Sequence, residues 1–436
     1  MFIKRGRGGS RKFTIFAPPQ SQSRSIRTLL RHPRSLAFIL FTIIVMLVGS
    51  TKFLPFSTTH WSWFTDSNPV TISSTPTRPK LSDIQQKRYQ QIATRYVSHM
   101  TINEKLGQLF MVSYQTPSYS ADLDHMLAQL HAGGVILYQP QINTREQIQQ
   151  DITKMQQRAT LPLLIATDEE GGYVDRLTHI YPPRLSALAI YRTGDPSVAQ
   201  HMGHQTAHDL LALGINTNLA PDSDVALVNG PDQITRTFGF TTQSVITFAG
   251  AYMRALQQDN VIACVKHFPG LGAATTDAHF ELPVVHRTKA QIYATELAPF
   301  QTFVQSPNVR ERPGMVMSTD VLMPAIDPQF PAELSHIFIT DILRQQFGYN
   351  GVVITDALSM NGISNHWDML QASIQALKAG NDMIIGINNP IQMALTIAGL
   401  KSALQQERLS LTQVDTSVIR ILTLKLQYHL LPLELE

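Results

Sequence analysis

"VIACVKHFPGLGAATTDAHF", residues 261–280, decides the fold. Its opening run is apolar without alternation, which reads as a strand buried on both faces. Strands of that kind belong to parallel sheets covered by helices. The run ends in Lys266 and His267, passes Gly270 and Gly272, and then presents Asp277 and His279. A buried strand that ends in charged groups and opens into a glycine-bearing loop suits the mouth of an α/β enzyme site.

Seven further runs repeat the pattern: "LGQLFMVSY" (106–114), "GGVILY" (133–138), "PLLIATDEE" (162–170), "INTNLAPDSDV" (215–225), "GMVMSTDVL" (314–322), "GVVITDAL" (351–358) and "DMIIGIN" (382–388). Helical stretches such as "TREQIQQDITKMQQRA" and "LSHIFITDILRQQFG" separate them, and "TINEK" opens a helix with a Thr101–Glu104 capping box. Eight strand–helix units in about 350 residues predict a (β/α)8 barrel of the TIM type. A doubly wound open sheet is the competing arrangement. It is weakened because the sequence has neither a Gly-rich dinucleotide fingerprint nor a phosphate loop.

Barrel sites sit at the C-terminal ends of the strands. Here those ends carry Asp168 and Glu170, Asp222 and Asp224, Lys266 and His267, Asp320, and Asp356. Acids and bases converging on one pocket, with no cysteine, zinc or phosphate-loop motif, point to hydrolysis or transfer of a polyhydroxylated substrate. Asp356 is the sharpest candidate, because a carboxylate leaving an apolar strand is poorly solvated unless it is used. It reads equally well as a nucleophile, base or ligand, or as the N-cap of a helix begun by "ALSM". Asp277, two residues before His279, can orient the ring and favour its protonated form. A surface Asp–His pair in a polar loop is the plainer reading of those two residues alone.

Composition narrows the class. Hydrophobic content of 43% supports a sizeable core. The net charge of +3 is local. Ten of the 35 Lys and Arg lie in residues 1–52, which hold no Asp or Glu, leaving 25 basic against 32 acidic residues in the body. No nucleic-acid partner is expected. The single Cys264 excludes an intrachain disulfide and a cysteine-built zinc site, and no cofactor or metal is expected.

Residues 1–34 read as a basic cytoplasmic tail and 35–52 as a transmembrane signal-anchor. Residues 53–85 read as a Ser/Thr/Pro-rich linker and 86–436 as the catalytic barrel. The uncharged run Ser35–Thr51 lies at the lower limit of a membrane span, and the basic residues before it orient the body outwards. A single-pass membrane protein with an extracytoplasmic catalytic domain is therefore expected. Secretion after signal cleavage is the alternative, but "LVGSTKFLP" offers no A-x-A site. A monomer is expected.

At this point the motifs resemble a family. "KHFPGLGAATTDAH" is similar to the K-H-F-P-G-x-G…T-x-x-D-x-H signature of glycoside hydrolase family 3, in its β-N-acetylhexosaminidase branch. "LGQLFM", "GGVILY", "LLIATDEEGGYVDRL", "GINTNLAPDSDV", "TRTFG", "PAELS", "GVVITDALSM" and "AGNDM" follow the same family in order. Together they cover about residues 95–430.

The resemblance implies a retaining exo-β-N-acetylglucosaminidase acting on peptidoglycan fragments or chitooligosaccharides. It implies Asp356 as nucleophile, His279 as general acid/base and Asp277 as its partner. It further implies Asp168, Arg176, Arg236, Lys266 and His267 as groups binding the non-reducing sugar. "VDTSVIRILTLKL" is expected to close the barrel, with no room for the second α/β domain of larger β-glucosidase relatives. Three positions depart from the pattern: Leu271 and Asp320 stand where His is common, and Tyr173 where Arg is frequent. A phosphorylase, a β-glucosidase-like enzyme and an inactive sugar-binding wall protein are the competing functions.

Overall fold

The computed structural model describes residues 83–230 and 233–433. The tail, the membrane-spanning run and residues 53–82 of the linker lie outside the described residues, and residues 83–85, expected as the end of the linker, instead open the helix Asp83–His99. Among the described residues, no helix is long and apolar enough to cross a membrane.

Eight strands run in chain order: β1 (Met111–Val112), β2 (Gly134–Leu137), β3 (Leu164–Thr167), β4 (Thr217–Asn218), β5 (Ile262–Phe268), β6 (Met315–Ser318), β7 (Val352–Ala357) and β8 (Met383–Ile385). Each pairs with its sequence neighbour in parallel. A parallel bridge between Phe110 and Ile384 brings the last strand round to the first. The Ile384 N–H donates to the carbonyl of Leu109 at 2.8 Å, and the Ser113 N–H to that of Ile387 at 2.9 Å. The arrangement is the expected (β/α)8 barrel.

The strand residues are buried throughout β1–β6 and β8, and only the last two residues of β7, Asp356 and Ala357, emerge partly from the core. This is why the sequence runs are continuously apolar. One face of each strand fills the barrel and the other meets helices, and each fully buried Val, Ile or Leu contributes about 1.5–3 kcal/mol.

Capping chemistry fixes the helix ends. Thr101 and Glu104 form the expected capping box before Ile102–Gln108. Helix Pro196–Leu213 begins on the Asp195 side chain and stops at Gly214, whose φ of 89° suits glycine. One boundary needs correcting. The run 106–114 is not a strand throughout, because "LGQ" completes helix Ile102–Gln108 and only Met111–Val112 pair as β1. The short apolar segment carries both periods, and periodicity alone does not separate them.

The first described helix, Asp83–His99, packs on the closing helix, Leu411–Gln427. The Tyr96 hydroxyl donates to the Pro432 carbonyl at 3.2 Å, and Gln427 donates to Gln86.

Candidate active site

Two clusters of charge occupy the C-terminal ends of the strands. The first grows from β3 and β5. The Lys266 ammonium lies 2.7 Å from Asp168 Oδ1 and 2.7 Å from Glu170 Oε1. Arg236 meets Glu170 through two hydrogen bonds, Nε to Oε2 at 2.9 Å and Nη2 to Oε1 at 2.8 Å. Arg176 stands 4.0 Å from the other Asp168 oxygen. Four of the anticipated sugar-binding residues, Asp168, Arg176, Arg236 and Lys266, therefore form one ion network.

Glu170 is the hub of that network. Burial works against its charge, but Arg236 and Lys266 outweigh it and hold the carboxyl below the usual range. Sequence reading noted Glu170 at a strand end without giving it a role. The signal available was its place two residues beyond Asp168 in "TDEEGG". Glu169, between them, turns away. It accepts the N–H groups of Arg176 and Leu177 and pairs with Arg184 at 3.0 Å. That pairing fixes the loop that carries Arg176.

His267 is held from behind. Its Nδ1 lies 2.8 Å from Asp224 Oδ2, while Asp224 Oδ1 accepts the Leu271 N–H at 2.8 Å. Burial opposes the imidazolium, yet the bond and charge of Asp224 prevail and raise the His267 pKa. Asp222, Asp224 and His267 bring one donor atom each within 4.8 Å of one another, a spacing that suits a metal ion. Both Asp224 oxygens are already engaged, so the trio as it stands supports the imidazole.

The second cluster joins β7 to the loop after β5. Asp356 leaves β7 with Oδ1 accepting the Ala357 N–H at 2.8 Å and Oδ2 facing the Thr319 hydroxyl at 3.3 Å. It caps no helix: the next one, Asn361–Ser364, starts beyond it with Met360 at the cap position. Asp277 Oδ1 accepts from the His279 backbone N–H at 2.8 Å and lies 2.8 Å from the ring Nδ1. Burial raises the Asp277 pKa, but these bonds and the His279 charge outweigh it, and the carboxyl sits below its usual range. The His279 side chain is 72% exposed, so Nε2 faces outwards while Nδ1 is committed to Asp277.

One pocket is lined by Asp356, Asp277, His279, Arg236 and His267, with Leu271, Thr276 and Met360 among its walls. Tyr138, at the end of β2, links the clusters. Burial and then the nearby charges of Asp168 and Asp356 push its hydroxyl pKa up, and the Arg176 guanidinium lies 6.0 Å from its ring centre. Sequence reading missed Tyr138, which looks there like the polar end of an apolar strand. The glycine of "GLG" has a geometric reason. A Cβ on Gly272 would fall 1.7 Å from the Val225 carbonyl oxygen, so only glycine lets the loop pass.

Residues 101–424 match the family model described as "Glycosyl hydrolase family 3 N terminal domain". The chain is 30% identical over 369 residues to Beta-hexosaminidase A of Pseudoalteromonas piscicida, covering 75% of this chain and 61% of that protein. It is 31% identical over 313 residues to the Beta-hexosaminidase of Pasteurella multocida strain Pm70, covering 69% and 87%. The solved glycoside hydrolase family 3 beta-N-acetylglucosaminidase of Paenibacillus sp. FPU-7 superposes with a TM-score of 0.71 at 34% identity, covering 76% of this chain and 63% of that one. The chain thus spans less than two thirds of the Pseudoalteromonas and Paenibacillus proteins.

Proposed function

The chain belongs to glycosyl hydrolase family 3, and from that premise we propose that it is a retaining exo-β-N-acetylglucosaminidase. It removes terminal β-linked N-acetylhexosamine from peptidoglycan fragments or chitooligosaccharides. The observation that carries this reading is that Asp356 and the Asp277–His279 pair line one pocket.

In the first step an Asp356 oxygen attacks the anomeric carbon. The glycosidic C–O bond breaks, and His279 Nε2–H gives its proton to the leaving oxygen. Asp277 steadies the ring before and after the transfer. In the second step water approaches the anomeric carbon, His279 takes one of its protons, and the Asp356 ester is cleaved to carboxylate. Two displacements retain the β configuration, with a His–Asp pair in place of the second carboxylate common in retaining glycosidases. Asp168, Arg176, Arg236, Lys266 and His267 supply donors and acceptors for the hydroxyls of the non-reducing sugar. Ion pairs among Asp168, Arg176 and Lys266, with Glu170 joining Arg236 and Lys266 and Asp224 backing His267, hold those side chains in fixed rotamers, which lowers the ordering cost of binding.

Asp356→Asn tests this reading. Turnover of a chromogenic N-acetylglucosaminide should nearly vanish while sugar binding remains measurable by calorimetry, and a 5-fluoro-sugar inactivator should label Asp356 in the parent protein. Label on Asp222, Asp224 or Asp320 would sink it. The same assay with and without phosphate separates hydrolysis from phosphorolysis.

We also propose that residues 35–52 tether the barrel outside the cytoplasmic membrane. Fractionation of the full chain and of a chain lacking residues 1–80 should place the first in membranes and the second in the soluble fraction. Equal partitioning would count against the tether.

A further inference from the structure

Three carboxyl groups meet where β6 and β7 end. Asp320 and Glu333 are fully buried, and Asp356 is half-buried. Neither Asp320 nor Glu333 has an ion-pair partner among the described residues, and each keeps one buried oxygen, Oδ2 and Oε1, without a hydrogen bond. The other Glu333 oxygen accepts the Asp356 N–H at 3.1 Å. A Cβ on Gly362 would lie 2.4 Å from Asp320 Oδ2, so backbone closes over this oxygen. The Gly362 N–H in turn donates to the Ala278 carbonyl at 3.0 Å, tying the same closure to the loop of His279.

One hydroxyl stands between two of these carboxyls. Thr319 Oγ1 is 3.2 Å from Asp320 Oδ1 and 3.3 Å from Asp356 Oδ2. A threonine hydroxyl has a single hydrogen. With both carboxyls ionised it can donate to only one, and its lone pairs confront the other. With one carboxyl protonated, the hydroxyl accepts from that acid and donates to the remaining anion, and both contacts become hydrogen bonds. The nucleophile has to be the anion, so the proton belongs on Asp320.

We propose that Asp320 is held as a neutral carboxylic acid and acts as a positioning residue for the nucleophile. Its O–H donates to Thr319 Oγ1, and the Thr319 O–H donates to Asp356 Oδ2. This rests on the reading of Asp356 as nucleophile. The relay bonds most strongly to a full carboxylate. It therefore weakens as the glycosyl ester forms and strengthens as the ester breaks, which helps Asp356 leave in the second step. The ionisable groups that face Asp320 agree with it. They are Asp356 from β7, Glu333 from the turn Ala332–Leu334, and Asp277 from the β5 loop, the last paired with His279. Burial first, and then the Asp356 charge, raise the Asp320 pKa well above the usual carboxyl range.

The test combines infrared difference spectroscopy with pH profiles of the full-length enzyme. At neutral pH the parent-minus-Asp320→Asn spectrum should contain a carboxylic-acid carbonyl band, and its absence overturns the proposal. An asparagine amide still donates to Thr319, so the acidic limb of kcat/KM for an aryl N-acetylglucosaminide should stay in place in Asp320→Asn. Movement of that limb to lower pH would mean that a like charge had been removed, which also overturns it. Thr319→Val cuts the relay and should move the limb to higher pH by about half a unit or more. A merely structural role would lower kcat without moving the limb. Should Asp320→Asn not fold, Thr319→Val decides alone, and an unmoved limb overturns the proposal. Fluoro-sugar label found away from Asp356 would defeat the nucleophile reading by itself, with the infrared band still judging the proton on Asp320.

Discussion

A single oxygen of Asp277 binds His279 twice, through the backbone N–H and the ring Nδ1, each at 2.8 Å. The double contact leaves the imidazole one free nitrogen and one direction in which to use it. A loop residue that is otherwise exposed thereby gains the fixed orientation that proton transfer requires.

Loss of either partner should be felt according to the leaving group. His279→Ala should slow release of a natural sugar by about 10²–10⁴-fold, while a substrate with an acidic phenol loses far less in its glycosylation step. Azide should restore turnover on the activated substrate and yield a β-glycosyl azide. Equal slowing of both substrates, without azide rescue, would make His279 a binding or structural residue. Asp277→Asn should act in the same direction but more weakly, since the ring itself remains.

Glu170→Gln should be costly in two ways. Arg236 loses a paired anion and Lys266 loses one of its two, which in a buried setting destabilises by about 3 kcal/mol; urea unfolding reads this directly. The loosened Arg236 and Lys266 should raise KM more than they lower kcat. The pH sign follows from the depressed carboxyl. Its contribution is complete above the unfolded pKa of about 4.3 and is lost as pH falls through the folded value. The parent protein should therefore lose stability more steeply below pH 4 than Glu170→Gln does.

Lys425 reverses the usual sense. It is fully buried on the closing helix and donates to Gln108 Oε1 at 2.8 Å, and burial lowers its pKa to about 7. The unfolded chain then binds more protons than the folded one between about pH 7 and the ordinary lysine value near 10. Stability should rise with pH across that window, by up to about 1.4 kcal/mol per unit. Unfolding midpoints at pH 7 and pH 9 measure it. Lys425→Met should abolish the slope, and a slope that persists in Lys425→Met would assign it to another group.

The barrel was legible because its strands are buried on both faces, and "VIACV" or "GVVI" carries that fact without help from the rest of the chain. The places of Asp356, Lys266 and His267 at strand ends were legible for a related reason, as polar groups closing apolar runs. Strand ends at short pairings were not. β1 and β4 pair over two residues each, and so little ladder leaves no periodic trace. Partnership was the other blind spot. Glu170, Glu333 and Tyr138 draw their roles from residues 66, 23 and 30 or more positions away, and local sequence does not record which distant group a side chain will meet. Asp320 was visible as a departure, but its meaning lies in the Thr319 hydroxyl it shares with Asp356.

The helix Asp83–His99 rests on the helix Leu411–Gln427, with Gln86 and Gln427 touching. Traced in space, the described body is a ring of eight units, and the seam between last and first is one parallel bridge with the two backbone hydrogen bonds beside it. Which unit is read first is a matter of chain order alone. A rearranged chain, with residues 433 and 83 joined by a connector long enough to run back along the helix Asp83–His99 from Tyr96, which Pro432 touches, and new ends opened in an exposed helix–strand loop away from the pocket, would preserve every strand pairing, including Phe110 with Ile384. The site would then be carried unchanged on a protein whose beginning lies in what is now its middle.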